Sequence, residues 1–431
     1  MTRGVGATAL RATCVIAAIV WAVSSVARAQ LEDAFFDAAD HPAIAYATSP
    51  TSNAVTRLAQ AIGSGERRLD FAPGHGYLRS LLQALDVPEA SQVAVFSKTS
   101  LQARVIAPAN PRAIFFNDST IVAWPSAGFI EIATQDPRQG AMFYVLEQRA
   151  DARPQFQRPA SCLTCHVSYA TLNVPGLLIR SVATGPGGQT LPHVWNGTTS
   201  HRTPLAERWA GWYVTGGSGQ SAHLGNVATP LDTPGDKAPT AQPSTWPTFG
   251  ERVPGFRYLS THSDIAALLV FDHQMHLMNL LTRLGWEVRV ALADQPATAA
   301  AVATRGAVDV VDYMLFVDEA PLAGPVGGDS GFSAGFTARG PRDKAGRSLR
   351  QLDLTTRLQT YPCSYLIYSA AFEALPEAAR QAVYARLWRV LSGSETTARY
   401  TRRTRAERLA IVEILRDTKP DLPAYFREAV T

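Results

Sequence analysis

Five consecutive residues carry the plainest chemistry in this chain: Cys162-Leu163-Thr164-Cys165-His166. Two cysteines two residues apart, with histidine directly after the second, form the attachment pattern of a c-type haem. Each thiol adds to one vinyl group of the macrocycle, and the adjacent histidine is thereby aimed at the iron as an axial ligand. A zinc site would need a second cysteine or histidine pair at matching spacing, and the chain holds no second Cys-x-x-Cys. A redox dithiol is the remaining use of such a pair. The spacing predicts one covalent haem c, with Cys162 and Cys165 as attachment points and His166 as iron ligand.

The other axial position decides between a carrier and a site open to substrate. Beyond the N-terminal region the methionines are Met142, Met275, Met278 and Met314, and the richest cluster is His273-Gln274-Met275-His276-Leu277-Met278-Asn279. At about 100° per residue on a helix, His273 and His276 share one face, about 60° apart. Met275 and Met278 share roughly the opposite face, and Asp272, Asn279 and Arg283 form a polar stripe between them. His273 is the expected second iron ligand, with His276, Met278 and His223 as alternatives. His201 and Arg202 open a segment rich in arginine, tryptophan and histidine, and are expected to contact the haem or its propionates.

These residues need elements to hold them. Residues 1–29 read as a secretory leader: Arg3 and Arg11, an apolar run Val15–Val23, then Ala27-Arg28-Ala29 before Gln30. The run is shorter than the roughly 20 residues of a membrane span, and Cys14 precedes it, against a lipid anchor at that cysteine. Loss of the leader's three arginines takes the formal charge from +4 to +1, which gives no case for nucleic acid as a partner. No later stretch reaches a membrane span. The expectation is an exported protein, periplasmic or secreted, with residues 30–431 as a single large globular region.

Within that region the pattern to about residue 105 is helical, with helix spacing at Ala54–Ile62 and Tyr77–Leu85. It then changes to β-type runs at Ala113–Phe116, Thr120–Trp124, Phe129–Ala133 and Ala141–Leu146, divided by turn chemistry. A β-meander and the haem motif are placed at about 106–182. Residues 183–254, rich in Gly and Pro, are expected as ordered loop. The C-terminal part, about 262–425, is helical. Asp264–Leu284 is capped by Ser263 and stopped by Gly285, one helix runs from Pro376 to about Leu391, and another from near Ser394 to about Arg416. Arg399, Arg402, Arg403, Arg405 and Arg408 on the last are expected as a solvated face. Cys363, in an apolar stretch, reads as a buried inert thiol. The fold class is therefore α+β: helices and an antiparallel meander around one haem c, not the minimal all-helical cytochrome c fold.

The motif resembles that of bacterial cytochromes c, which implies covalent attachment at Cys162 and Cys165, ligation by His166, and export. Longer stretches resemble an uncharacterised group of exported bacterial monohaem proteins: Phe116-Asn117-Asp118, His201-Arg202, Gly211-Trp212-Tyr213-Val214-Thr215-Gly216, His273-Gln274 and Tyr361-Pro362-Cys363-Ser364-Tyr365. The expected function is electron transfer with a redox partner protein. The alternatives are a haem enzyme acting on a small substrate such as a peroxide or a nitrogen or sulfur compound, and a haem-based sensor.

Overall fold

Turn-forming side chains divide the β-type runs and close two hairpins of one antiparallel sheet. Asn117 accepts from the backbone N–H groups of Ser119 and Thr120 at 3.0 and 2.8 Å, and Asp136 accepts from those of Arg138 and Gln139. The computed structural model describes residues 38–150, 153–244 and 246–430; the expected leader, residues 1–29, lies outside the described residues. The chain divides into two units, Met1–Ser49 and Pro50–Thr431, and the described part of the first is a run of turns.

In the second unit, helices α1 (Ala54–Gly63) and α2 (Leu78–Ala84) precede strand β1 (Val93–Val95). The meander follows as β2 (Arg112–Phe116), β3 (Thr120–Pro125), β4 (Ile130–Asp136), β5 (Gly140–Leu146) and β6 (Phe156–Gln157). The motif lies on a 3-10 turn, Ala160–Cys162, and a one-turn helix α3 (Leu163–His166). A ribbon of β7 (Ile179–Val182) and β8 (Asn196–Thr199) comes next, then β9 (Trp212–Tyr213). The remainder is helical: α4 (Ile265–Asp294), α5 (Ala299–Met314), α6 (Phe332–Ala338), α7 (Ala370–Glu373), α8 (Glu377–Ser392), α9 (Ala398–Thr401) and α10 (Arg405–Thr418). The fold is α+β. The sheet runs β6-β5-β4-β3-β2-β1-β9, with every neighbouring pair antiparallel.

Register sorts the side chains of one sheet face into rows. Phe143, Ala133, Ile121 and Phe116 are cross-strand partners in one row; Val145, Glu131, Ala123 and Ile114 form the next. Arg112, two residues before Ile114 on β2, lies one row further on the same face. Helix α4 packs over this face: Phe271 meets Phe116 with ring centres 4.7 Å apart. At 30 residues it is about 45 Å long, buried nearly all round, and α5 packs against it and against α8. No described helix is long and apolar enough to cross a membrane.

Five expectations change. Val93–Val95, read as part of a helical region, is the strand between β2 and β9. Gly285 does not end the long helix, which continues to Asp294, and the N-cap is Asp264, accepting from the N–H of Ala266 and Ala267. Ser263 instead accepts from the β1 amide of Ala94. The helix expected from Ser394 to Arg416 is two helices, because the Thr404–Glu407 capping box starts α10 afresh. Its arginines divide as well. Arg399, Arg402 and Arg405 are exposed, Arg399 also bridging Asp312 and Asp318 at 2.8 and 2.7 Å, but Arg403 turns inward and donates to the carbonyls of Pro362 and Leu315. Cys363 is fully buried, and burial pushes its thiol up to about 12.

Candidate functional site

The backbone delivers His166 in a fixed pose. Its imidazole Nδ1 lies 2.9 Å from the carbonyl oxygen of Gly176, and its own carbonyl accepts from the Gly176 N–H at 2.9 Å. Because a carbonyl only accepts, Nδ1 carries the proton and Nε2 presents a lone pair. Burial, the largest influence, lowers the ring's basicity and keeps it neutral. A neutral imidazole with one nitrogen tied to a carbonyl is the form that ligates a metal, and the second bond fixes its orientation.

Gly176 is held in turn by α4. Asn279 accepts from the Leu177 N–H at 2.8 Å and donates to the Leu177 carbonyl at 2.6 Å. A Cβ on Gly176 would fall 2.5 Å from the Asn279 oxygen, so only glycine lets the segment approach this closely. The polar stripe of α4 thus anchors the loop that follows the motif. Phe143 of β5 packs on the His166 ring, centres 4.4 Å apart.

Cys162, Cys165 and Cys363 are free thiols among the described residues. Burial first, then the Glu131 carboxylate, pushes the Cys162 thiol above its ordinary value. A redox dithiol works by a lowered pKa in an electropositive setting, so this environment argues against that use. Among the described residues no group of three or more His, Cys, Asp or Glu converges on a metal position. A haem asks less of the protein, since the macrocycle supplies four ligands and the chain one or two. The reduced cysteine pair and the singly tied His166 fit that demand.

Comparison with family models, with curated proteins and with solved structures finds no match to this chain. The site is therefore read from its own geometry.

The remaining expected site residues are dispersed. His273 is fully buried and both ring nitrogens are engaged, Nδ1 with His201 Nδ1 at 2.8 Å and Nε2 with Ser364 Oγ at 2.7 Å. It has no nitrogen left for iron in this arrangement. His201 stacks on Tyr313 with ring centres 3.9 Å apart. Arg202 donates to the Val317 carbonyl at 3.0 Å and lies over Tyr313. His223 accepts from the Gly225 N–H through Nδ1. The structure brings His201, Arg202 and His273 together around Tyr313 rather than beside His166. A cleft of about 360 Å³ adjoins the loop after the motif, lined by Tyr169, Leu177, Thr199, Met275, His276 and Arg283. His276 is held neutral there, down to about 4, chiefly by burial.

Beneath the cleft, Asp272 gathers the surrounding elements. Its carboxylate accepts from Thr199 at 2.6 Å, the Trp209 indole at 3.0 Å and Arg208 at 3.1 Å. Arg208 also donates to the carbonyls of Thr203 and His201.

The buried histidines set an acid limit on stability. Burial lowers His273 to about 3 and His223 to about 4, while the unfolded chain titrates near 6.5. Both are neutral in the fold, so their full contribution is present above about pH 6.5 and declines as pH falls toward those values. Between pH 7.5 and 5.5 each is expected to remove about 1.4 kcal/mol of unfolding free energy. Urea titrations at the two pH values check this; equal stability at both would contradict the neutral assignment.

Four residues of the site lie outside the sequence-based expectations: Phe143, Gly176, Arg112 and Glu131. Gly176 has a signal in Pro175-Gly176, a turn pair ten residues after the ligand. The two charges have another: Arg112 opens an apolar strand and Glu131 interrupts one, each in core-facing register.

Proposed function

We propose that this protein is an exported c-type cytochrome that carries one covalent haem and transfers electrons to or from a redox partner protein. The observation that carries the reading is the His166–Gly176 bond, which leaves Nε2 free on a motif built for haem attachment. Cys162 and Cys165 hold the group, and His166 ligates it. Gly176 and Asn279 fix the ligand's tautomer and angle, and Phe143 covers one face of its ring. When bound, the haem supplies a one-electron couple. The chain's part is to keep that couple in a rigid, partly dry setting.

A second reading, a haem enzyme acting on a small substrate, rests on the cleft beside Tyr169 and His276. Carbon monoxide separates the two. A ferrous spectrum indifferent to the gas supports the carrier, and a shifted spectrum supports the enzyme or a sensor.

His166→Ala is the direct test of the ligand. The thioethers still form, but the iron's spin state changes, seen as a displaced Soret band in the ferric protein. A spectrum unchanged from the wild type would remove His166 from this role.

A further inference from the structure

The bond that fixes His166 also tells where its free nitrogen faces. Nδ1 and Nε2 point to nearly opposite sides of an imidazole, and Nδ1 points at Gly176. Gly176 lies between His166 and Asn279, and Pro175 beside it accepts from the Ala141 N–H at the start of β5. The stretch of α4 around Asn279 therefore stands behind the ring. Nε2 thus faces away from Gly176; Phe143 lies against the ring, and the next rows of the same sheet face carry Val145, Glu131 and Ala123 and then Arg112.

That end of the sheet holds an ion pair in an otherwise apolar face. Arg112 Nη1 donates to Glu131 at 3.0 Å, each side chain 17% exposed, and Ser100 donates to both Glu131 oxygens. Arg112 Nε is buried without an acceptor among the described residues. The charges of Arg112 and Glu131 both act on the His166 ring. Ala123 and Ala133 keep the intervening surface low.

We propose that Arg112, braced by Glu131, is the cation that faces the haem held by His166, donating through Nε to a propionate carboxylate. It is a positioning residue rather than a ligand, and it sets the field at the iron. This rests on the haem reading above.

The test is the reduction potential of the covalently loaded protein, by spectroelectrochemistry. Removing the cation in Arg112→Leu favours the ferric form about tenfold, a fall of about 59 mV. Removing the anion in Glu131→Gln moves the potential upward by a similar factor. That variant keeps the side-chain shape, so it decides the matter if Arg112→Leu does not fold. Arg305→Leu on α5, an exposed arginine with no part in the site, is the control and shifts the equilibrium less than twofold. A loss of packing alone would not move the two variants in opposite directions. Shifts under twofold in Glu131→Gln and in any folded Arg112→Leu, or an equal shift in Arg305→Leu, would overturn the assignment. Absence of haem from the wild type on a denaturing gel would instead defeat the parent reading, and is seen before any potential is measured.

Discussion

Replacing both motif cysteines, Cys162→Ala with Cys165→Ala, is expected to abolish covalent haem while leaving the fold in place. On the proposed reading the prosthetic group is joined through two thioethers, and neither sulfur has a structural duty that packing could not replace. Cys165 is exposed and Cys162 only partly buried at the edge of the core. Single variants should keep one thioether and leave one vinyl group unreacted, which displaces the α-band of the alkaline pyridine spectrum. Haem stain on a denaturing gel reads the double variant directly. The urea midpoint separates loss of attachment from loss of structure. The expected pattern is an unstained band from a protein whose apo form unfolds at the same urea concentration as apo wild type. Stain persisting in the double variant would place the attachment elsewhere.

The largest effect on stability is expected at Asp272→Ala. Asp272 is fully buried, and it answers a guanidinium that is 2% exposed. Taking away one partner of a buried pair leaves an uncompensated charge, which costs about 3–5 kcal/mol. The same change strands the Trp209 indole N–H and the Thr199 hydroxyl. Burial raises the Asp272 carboxyl, opposed by Arg208, Thr199 and Trp209; with every neighbour a donor, the ionised form is the one the site accommodates. Asp272→Asn keeps one oxygen to accept from Arg208 and Trp209 and turns its amide toward the Thr199 hydroxyl, which can accept, so its loss should be smaller. Trp209 sits at φ 70°, a conformation a bulky residue holds only when its surroundings insist, and the Asp272 bond is part of that insistence. An Asp272→Ala protein within 1 kcal/mol of wild type would show that the pair contributes nothing net.

What is legible in the sequence alone is whatever is local. The Cys162–His166 spacing spans five residues, and the meander is announced by Asn117 and Asp136, whose side chains fold their own turns. Length is harder: Gly285 reads as a stop by propensity, yet burial against Leu375 keeps it helical. Thr404-Arg405-Ala406-Glu407 carries a capping box in plain view, masked by the arginines around it, which read as one charged face. The failures at single residues share one cause, which is partners distant in the chain. His273 meets Ser364, 91 residues away, and Arg399 meets Asp312, 87 away. Helical periodicity places His273 and His276 on one face but cannot say that His201 occupies the first. The polar stripe of Asp272, Asn279 and Arg283 is visible, and its task is not: Asn279 holds the loop that aims His166. Arg112 and Glu131 are legible as charges in core-facing register, because strand alternation puts each on the same face as its apolar neighbours two residues along.

The most direct measurement is the intact mass of the protein exported from cells that attach haem c, followed by peptide mapping. The expected mass exceeds that of the polypeptide by one haem, carried on the peptide containing Cys162 to His166. An unmodified mass with Cys162 and Cys165 as free thiols would contradict the haem assignment and everything built on it.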